Sequence, residues 1–294
     1  MEERLTRFGY ASLLGRPNVG KSTLLNNIIK EKIAITSPKP QTTRNRITGI
    51  YTAEEGQIVF LDTPGIHDPT KEINRRMVRE ARQAADQADV SVMLIEAHRP
   101  WLDNDLLTLD LIEKLDTKKI LVINKVDRTA RENVLPVMDH SSKLSVFDEI
   151  VPLSALTGDN VDSFVKVVMD LMPESEPLFP DDMITDQLER FWVSEVIREK
   201  LVRNTRDELP YTTAVRIDKF EETEGLIRIA ATIAVERDSQ KGIVIGKGGS
   251  MLKKIGTAAR RDIEDFLGKN VYLDINVKVD PRWWREMEGP TGQV

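Results

Sequence analysis

The feature that most constrains this chain is the octapeptide Gly15–Ser22, which reads GRPNVGKS. It fits the spacing Gly-x4-Gly-Lys-Ser of loops that wrap the phosphates of a nucleotide. A short apolar run, Phe8–Leu14, precedes it and a run with helical periodicity, Ser22–Ile29, follows it, so the loop should join a strand to a helix. Lys21 would then bind the β- and γ-phosphates and Ser22 the Mg²⁺ ion. The predicted nucleotide contacts from this stretch are Gly15, Asn18, Val19, Gly20, Lys21, Ser22 and Thr23.

The composition limits the classes of protein to which the chain can belong. Its 294 residues are enough for two domains, and 40% hydrophobic with 31% charged residues is typical of a globular protein. The sequence contains no cysteine, which excludes disulfides and fits a reducing compartment. No apolar run is long enough to cross a membrane and no hydrophobic signal segment is present, so we expect a cytoplasmic protein. The net charge of −6 allows a local basic patch but argues against wholesale coating of nucleic acid.

The pattern of apolar residues divides the chain into two domains. Over residues 1–172, short apolar runs alternate with amphipathic segments, which predicts an α/β domain with a mostly parallel sheet and helices on both faces. Residues 173–182 contain three prolines and no periodicity, and we interpret them as a linker. Residues 183–294 follow the order helix, strand, strand, glycine loop, helix, strand, which predicts an α+β domain of the type II KH arrangement.

Individual elements can be placed from the same periodicities. The strands predicted for the first domain are Phe8–Leu14, Gln57–Leu61, Val90–Ile95, Lys119–Ile123 and Ile150–Pro152, and its helices are Glu72–Gln87, Asn104–Leu115 and Val161–Leu171. The second domain is predicted to contain helices Leu188–Arg203 and Ser250–Leu267 and strands Tyr211–Phe220, Leu226–Glu236 and Val271–Val279.

A second motif, Asp62-Thr63-Pro64-Gly65, follows an apolar strand. The Asp62 carboxylate is placed to hold Mg²⁺ through water, and the Gly65 N–H can meet the γ-phosphate. An ordinary strand-ending turn is the alternative, because Asp, Pro and Gly are all turn residues.

The third motif, Asn124-Lys125-Val126-Asp127, predicts the identity of the base. The Asp127 carboxylate can accept hydrogen bonds from both N1–H and the exocyclic amine of guanine, and adenine offers neither donor there. Sites built on such hydrogen bonds discriminate by orders of magnitude, so the nucleotide should be GTP or GDP. We expect backbone N–H groups of Ser154, Ala155 and Leu156 to complete the pocket.

The stretch between the phosphate loop and the second predicted strand contains two adjacent threonines, Thr42 and Thr43. One of them should coordinate Mg²⁺ and touch the γ-phosphate, so that the loop is ordered only with the triphosphate. We favour Thr43 as this ligand and keep Thr42 as the alternative; the predicted metal site is therefore Ser22, Thr43 and Asp62.

The second domain contains a Gly-x-x-Gly sequence, Gly246–Gly249, before a helix. KH domains clamp the backbone of single-stranded RNA with such a loop. The stretch 239–261 also contains basic residues and no acidic one, which favours a phosphate track over a merely solvated helix face. The predicted RNA contacts are Lys241, Gly246, Lys247, Gly248, Gly249, Lys253, Lys254 and Arg260, with Ile243, Val244, Ile245 and Leu252 as an apolar floor for the bases.

These motifs, together with Lys39–Arg44, resemble the Era family within the translation-factor-related class of GTPases, and the resemblance covers nearly the whole chain. It implies GTP hydrolysis with Mg²⁺, binding near the 3′ end of 16S ribosomal RNA and assistance to assembly of the 30S subunit. It further implies a monomer with peripheral association at the cytoplasmic face of the inner membrane, although no amphipathic basic helix in the sequence requires that association.

One position bears on the hydrolytic mechanism. Ile66 follows Gly65, where Ras-like switches have a glutamine that orients the attacking water. Related GTPases with a hydrophobic residue here use a K⁺ ion held by a phosphate-loop asparagine, which corresponds to Asn18. The implied catalytic groups are thus Asn18, Lys21, Thr43 and Gly65; alternatively, Asn18 only shapes the loop.

Two other functions are consistent with parts of the sequence. A KH-type RNA chaperone with a vestigial nucleotide site would not need the intact Lys21, Ser22, Asp62 and Asp127. A GTPase of tRNA modification would need a cysteine-bearing tail and another N-terminal domain, which this sequence lacks. Trp283 and Trp284 could stack on bases or pack within the protein, and we favour packing.

Overall fold

The computed structural model describes residues 6–39, 42–67, 72–205, 209 and 212–282. The chain forms two compact units that differ from the predicted domains at both boundaries. The first unit comprises residues 1–34 and 43–186, and the second comprises residues 35–42 and 187–294. The short segment 35–42, which lies between motifs of the first unit in sequence, thus packs with the second unit.

The first unit is built on a six-stranded sheet in the order β2-β3-β1-β4-β5-β6. All neighbouring pairs are parallel except β2 with β3, which are antiparallel. The five predicted strands are confirmed to within two residues, and β2 was missed. Gly49 interrupts the β-branched pattern of β2, and a Cβ there would lie 2.5 Å from Leu25 Cδ1, so the side chains of α1 pack closely over this glycine. The strands are β1 Arg7–Leu14, β2 Ile47–Ala53, β3 Gly56–Asp62, β4 Val90–Glu96, β5 Lys118–Asn124 and β6 Glu149–Pro152.

Five helices accompany this sheet. Three match the predicted segments, α1 continues the phosphate loop as expected, and α4 was missed because Pro136 lies inside it. The helices are α1 Lys21–Ile29, α2 Glu72–Asp86, α3 Asp103–Glu113, α4 Arg131–Ser142 and α5 Val161–Leu171. Strands β3 and β4 are buried along their whole length, as expected for parallel strands covered on both faces.

The predicted linker does not act as a spacer. Phe8 N–H donates to the carbonyl of Pro173, and Ser175 N–H donates to the carbonyl of Thr6. The Gln57 side chain accepts from the N–H groups of Leu178 and Phe179. These hydrogen bonds attach residues 173–179 to the first unit, which therefore extends to Asp186. Proline content suggested a linker, but it does not report whether neighbouring backbone groups are paired.

The second unit has a three-stranded sheet in the order β7-β8-β9, antiparallel between β7 and β8 and parallel between β8 and β9. Its core combines sheet residues such as Ile229 and Ile233 with Val244, Ile255 and Ile263 from the helices. The glycine-rich segment proves to be preceded by a helix, α7, which was not predicted and which contains one glycine, Gly242. The elements are α6 Glu189–Asn204, β7 Thr213–Thr223, β8 Leu226–Val235, α7 Asp238–Ile245, α8 Ser250–Leu267 and β9 Asn270–Val279. Among the described helices, none combines the length and apolarity needed to cross a membrane.

Candidate functional site

The phosphate loop lies where β1 ends and α1 begins, at the carboxyl edge of the parallel sheet. Gly15 has φ 151° and a Cβ there would lie 2.7 Å from the Leu94 carbonyl oxygen. Gly20 has φ 111°, and its Cβ would collide with the side-chain amide of Asn124. Helix α1 begins at Lys21 without a side-chain cap. Its first-turn N–H groups, including those of Ser22 and Thr23, are therefore available to an anion.

Lys21 is buried inside this loop. Its Nζ lies 3.0 Å from the Gly15 carbonyl oxygen and 3.2 Å from that of Arg16. Burial lowers the pKa of Lys21 to about 8, although the nearby Asp62 carboxylate acts in the opposite direction. The ammonium group is thus held where a phosphate would enter, and its charge favours that entry.

Three oxygen-bearing side chains converge beside the loop. Ser22 Oγ donates to Asp62 Oδ2 at 2.5 Å and lies 2.9 Å from Thr43 Oγ1. Burial raises the pKa of Asp62 to about 6, against the opposing effects of Lys21 and of the two hydroxyls. Asp62 Oδ1 is buried and has no hydrogen-bond partner among the described residues. One carboxylate with two hydroxyls fits Mg²⁺, which is commonly held by one or two carboxylates together with substrate phosphates.

The two adjacent threonines have different surroundings. Thr43 belongs to the oxygen cluster described above, whereas Thr42 Oγ1 donates to the carbonyl of Lys39 at 2.7 Å within the second unit. The geometry therefore favours Thr43 over Thr42 as a metal ligand. It places no Thr42 side-chain oxygen beside Ser22 or Asp62.

The segment after β3 closes against the phosphate loop. Thr63 Oγ1 donates to the Leu13 carbonyl at 2.7 Å, and Ile66 N–H donates to the Gly15 carbonyl at 3.0 Å. A Cβ on Gly65 would lie 2.7 Å from Pro17 Cα, so only glycine allows this approach. The Ile66 side chain is buried in the apolar cluster beneath the sheet edge. Ile66 consequently cannot orient a water molecule.

Asn124 joins three loops at the base-binding end. Its Nδ2 donates to the Val19 carbonyl at 2.8 Å, and its Oδ1 accepts from the N–H of Ala155 at 2.9 Å. Lys125 has φ 64°, and its Nζ donates to the Asn18 carbonyl at 2.6 Å. Asn18 itself has φ 63° and an exposed side chain. The left-handed conformation that Asn tolerates thus gives Asn18 a structural role in shaping the loop.

Asp127 is exposed, and its Oδ1 accepts a hydrogen bond from the buried Ser154 Oγ at 2.5 Å. Two of the three backbone N–H groups expected to complete the base pocket have partners within the protein. The N–H of Ser154 donates to the Asp159 carbonyl and that of Ala155 to Asn124. In this structure both amides therefore stabilise the loop itself, while the Leu156 side chain is exposed.

Sequence analysis missed a cluster of charged residues beside these loops. It consists of Arg16, Glu96, Asp105 and Lys125, of which Glu96 and Asp105 are buried. The available signal was a glutamate at the carboxyl end of an otherwise apolar strand, β4. The sequence alone could not name its partners, because they lie on three other segments.

In the second unit, the glycine loop joins α7 to α8. Gly246 has φ 72° and a Cβ there would lie 2.7 Å from Met251 Cβ, so Gly246 is required by packing. Gly248 and Gly249 have φ values of 59° and 79°, yet a Cβ on either would meet no described atom within 4 Å. The exposed Lys247 lies between Gly246 and Gly248. This part of the loop is open to a close approach by a ligand.

A groove runs from this loop between α8 and β9. It combines apolar side chains of both elements with two basic residues of α8, Lys253 and Arg260. Sequence analysis missed the contribution of β9, because strand and helix are brought together only by folding. The groove is lined by Gly249, Leu252, Lys253, Gly256, Thr257, Arg260, Leu273 and Ile275.

Several predicted RNA contacts lie elsewhere. Val244 has no exposed surface and belongs to the core of the unit, so it is wrong as part of a floor for bases. Ile243 is 54% exposed on α7, the helix that also contains Lys241 and Ile245. Lys254 is exposed on α8 but does not line the groove. Trp283 and Trp284 lie outside the described residues.

Comparison with known proteins supports both halves of this description. A family model described as a 50S ribosome-binding GTPase matches residues 10–125, and a KH domain model matches residues 208–284. The GTPase Era of Geotalea daltonii is 50% identical over 284 residues, covering 96% of each chain. The GTPase Era of Geobacter metallireducens is 50% identical over 285 residues with the same coverage.

Two solved structures are similar over nearly the full length. One is Era in complex with MgGDPNP and nucleotides 1506–1542 of 16S ribosomal RNA, with 43% identity, a TM-score of 0.92 and 96% coverage of each chain. The other is a variant of Aquifex aeolicus Era bound to GDP·AlF4⁻, with 43% identity, a TM-score of 0.92 and coverage of 96% and 97%. On this sequence identity, coverage and shared fold, the chain belongs to the Era family of GTPases.

Proposed function

We propose that the chain is a GTP-driven switch that binds 16S ribosomal RNA near its 3′ end and assists assembly of the 30S subunit. The observation that carries the proposal is the presence of two built sites in one chain. One is the oxygen cluster beside the phosphate loop, and the other is the glycine loop with its half-apolar, half-basic groove.

At the first site, Ser22 and Thr43 would bind Mg²⁺ directly and Asp62 would hold it through water, while the ion offsets charge on the phosphates. Lys21 would leave the two loop carbonyls and bind the β- and γ-phosphates. The Gly65 N–H would meet the γ-phosphate. Asp127, already oriented by Ser154, would accept the two guanine donors.

At the second site, single-stranded RNA would follow the loop and the groove. The open surface at Gly248 and Gly249 supports a close approach of the sugar–phosphate backbone, with Lys247 supplying charge. Bases would rest against Leu252, Leu273 and Ile275, and Lys253 and Arg260 would bind phosphates along the rim.

We further propose that the nucleotide state acts on the second unit through the segment preceding Thr43. The Arg198 guanidinium donates to the Thr42 carbonyl, and Arg198 Nε is held by Glu195 Oε1 at 2.7 Å. Thr36 N–H donates to Glu199 at 3.1 Å. These contacts attach the segment to α6 of the second unit. Because Thr43 is the next residue after Thr42, movement of Thr43 on loss of the γ-phosphate would pull on this attachment.

The proposal is tested by measuring binding to an RNA comprising nucleotides 1506–1542 of 16S ribosomal RNA with a GTP analogue or GDP present. We expect tighter binding and a steeper salt dependence in one of the two nucleotide states. In that state the groove between α8 and β9 would be more accessible and would contact more RNA phosphates. Equal affinity and equal salt slope in the two states would remove the coupling. A scrambled RNA of equal length and the variant Lys21→Ala serve as controls.

We also propose K⁺ as a cofactor of hydrolysis, held in part by Asn18. Two observations support this proposal. The buried Ile66 occupies the position where a glutamine would orient water, and the Asn18 side chain is exposed. Turnover should be faster in K⁺ than in Na⁺, and Asn18→Ala should abolish the difference. Equal turnover in both ions, unchanged by the substitution, would leave Asn18 with only its loop-shaping role.

The proposed setting is the cytoplasm, where a cysteine-free chain meets a reducing environment. The family resemblance extends the proposal to a monomer with peripheral contact at the cytoplasmic face of the inner membrane. Light scattering of the purified protein and sedimentation with lipid vesicles test these two points.

A further inference from the structure

Glu96 occupies an unusual position for a buried acid. It is the last residue of β4 and is 5% exposed. It lies at the carboxyl edge of the sheet, between the phosphate loop and the loop of residues Asn124–Asp127, which we call the base-reading loop. Its neighbour in β5 is Asn124, with which it is paired in register. A buried carboxylate is costly unless it is paired with cations, so its partners indicate what it does.

Those partners come from both ends of the nucleotide site. Glu96 Oε2 lies 2.6 Å from Arg16 Nη2, and Arg16 belongs to the phosphate loop. Glu96 Oε1 forms an ion pair with Lys125 Nζ, and Lys125 belongs to the base-reading loop. Lys125 Nζ also donates to the carbonyl of Asn18. One carboxylate therefore binds two cations from loops that lie far apart in the sequence.

A second acid supports this arrangement. Asp105 has no exposed surface and lies 3.1 Å from Arg16 Nε, so Arg16 is held by two carboxylates. Asp105 Oδ2 also accepts the Leu102 N–H at the start of α3, which fixes the carboxylate in place. Burial alone would raise the pKa of Glu96, but hydrogen bonds from Lys125 and Arg16 outweigh it and hold that pKa below its usual value. The glutamate is consequently ionised at neutral pH.

We propose that Glu96 is a positioning residue for guanine-nucleotide binding, which sets the spacing between the phosphate loop and the base-reading loop through Arg16 and Lys125. A ligand that spans both loops benefits from this spacing, because the loops need not be rearranged when it binds. A fragment that occupies one loop gains nothing from it. The inference rests on the proposed nucleotide site, and it assigns to Glu96 no contact with the nucleotide.

The test compares ligands that span both loops with ligands that do not. We expect Glu96→Ala to weaken GDP binding about tenfold, because GDP must then order the two loops at the expense of about 1.4 kcal/mol of its binding free energy. Competition by guanosine or by inorganic pyrophosphate against a fluorescent GDP analogue should change less than about twofold. Glu96→Gln preserves the shape without the charge and should have an intermediate effect. Asp110→Ala, which removes an exposed acid with a single lysine partner, is the matched control.

Several results would overturn the proposal. One is GDP affinity in Glu96→Ala equal to that of the wild type; another is guanosine binding weakened as much as GDP binding, since a collapsed pocket would act on every ligand. A double-substitution cycle adds an independent measure: Arg16→Met should cost about tenfold in GDP affinity in the wild type and much less in Glu96→Ala. Fully additive effects would contradict the shared role. If the wild-type chain fails to bind GDP at all, the nucleotide site itself is wrong.

Discussion

The two glycine loops of this protein use glycine for different physical reasons. At the phosphate loop, added Cβ atoms at Gly15, at Gly20 and at Gly65 of the segment that closes against the loop would strike the Leu94 carbonyl, the Asn124 side chain and the Pro17 backbone. In the second unit, Gly248 and Gly249 have left-handed backbones but face open space. The first loop is shaped by contacts within the protein, whereas the outer part of the second leaves open space around its glycines. Substitutions in the first loop should therefore strongly reduce both stability and binding, whereas in the second loop they should reduce binding with only a small loss of stability.

The largest effect is expected for Gly20→Ala. The new methyl group collides with Asn124, which itself holds Val19 and Ala155, and the backbone has φ 111°. We expect a loss of about 2–4 kcal/mol in the free energy of unfolding. GDP affinity should fall more than about hundredfold. A hundredfold loss corresponds to slightly less than about 3 kcal/mol of binding free energy, which is within the range of the expected destabilisation. Urea unfolding and fluorescent-nucleotide titration measure the two effects. Normal stability together with normal affinity would contradict the claim that contacts within the protein require glycine at this position.

Ser22→Ala tests the oxygen cluster without a steric change. It removes the hydroxyl that donates to Asp62 and contacts Thr43. We expect GDP affinity in Mg²⁺ to fall about tenfold to hundredfold, and affinity in excess chelator to change little. An equal loss with and without Mg²⁺ would contradict the assignment. Thr42→Ala, whose hydroxyl is bound to Lys39, is the matched control.

The pH dependence of nucleotide binding should follow the two buried charges. Asp62, with a pKa of about 6, becomes protonated as the pH falls and then holds Mg²⁺ less well. Lys21, with a pKa of about 8, loses its charge in the free protein as the pH rises. Affinity for MgGDP should therefore be highest between these values and fall about tenfold for each pH unit well beyond them. Chelating Mg²⁺ should remove the acid limb alone, and a flat profile from pH 5 to 9 would contradict both assignments.

Gly248→Ala is the counterpart of Gly20→Ala in the open loop. Nothing described lies within 4 Å of the added carbon, so only the left-handed backbone opposes it. We expect a loss of about 1 kcal/mol in the free energy of unfolding. RNA affinity should fall about tenfold because the methyl group blocks the backbone of the ligand, while GDP affinity stays unchanged. Unaltered RNA binding would place the interface elsewhere.

The smallest expected effect separates two adjacent lysines. Lys253 lines the groove and Lys254 does not. Lys253→Ala should weaken RNA binding severalfold and reduce the salt slope by about 1, as expected for one lost phosphate contact. Lys254→Ala should change the affinity less than about twofold. Equal effects of the two substitutions would indicate a diffuse basic surface in place of a defined groove.

Much of the fold followed from local patterns. The five predicted strands and helices α5 and α8 stand where their periodicities predicted, because burial on one or both faces selects the apolar spacing. The missed elements have identifiable causes. Gly49 packs closely against Leu25 but interrupts the sequence pattern of β2. Pro136 lies inside α4 and is a residue that usually indicates the end of a helix. In α7 the single glycine, Gly242, weakened the helical pattern.

The sequence by itself determined the chemistry of the nucleotide site. Lys21, Ser22, Asp62 and Asp127 lie in short motifs whose spacing dictates a loop or a strand end, so their roles could be predicted without coordinates. Only the tertiary structure decided how distant segments share one charge or one surface. It assigned Arg16 and Lys125 to Glu96, it attached the segment before Thr43 to α6, and it brought β9 beside α8. The reason is physical: a motif encodes local backbone geometry, whereas the partner of a buried charge is set by whichever strand or loop folding brings next to it.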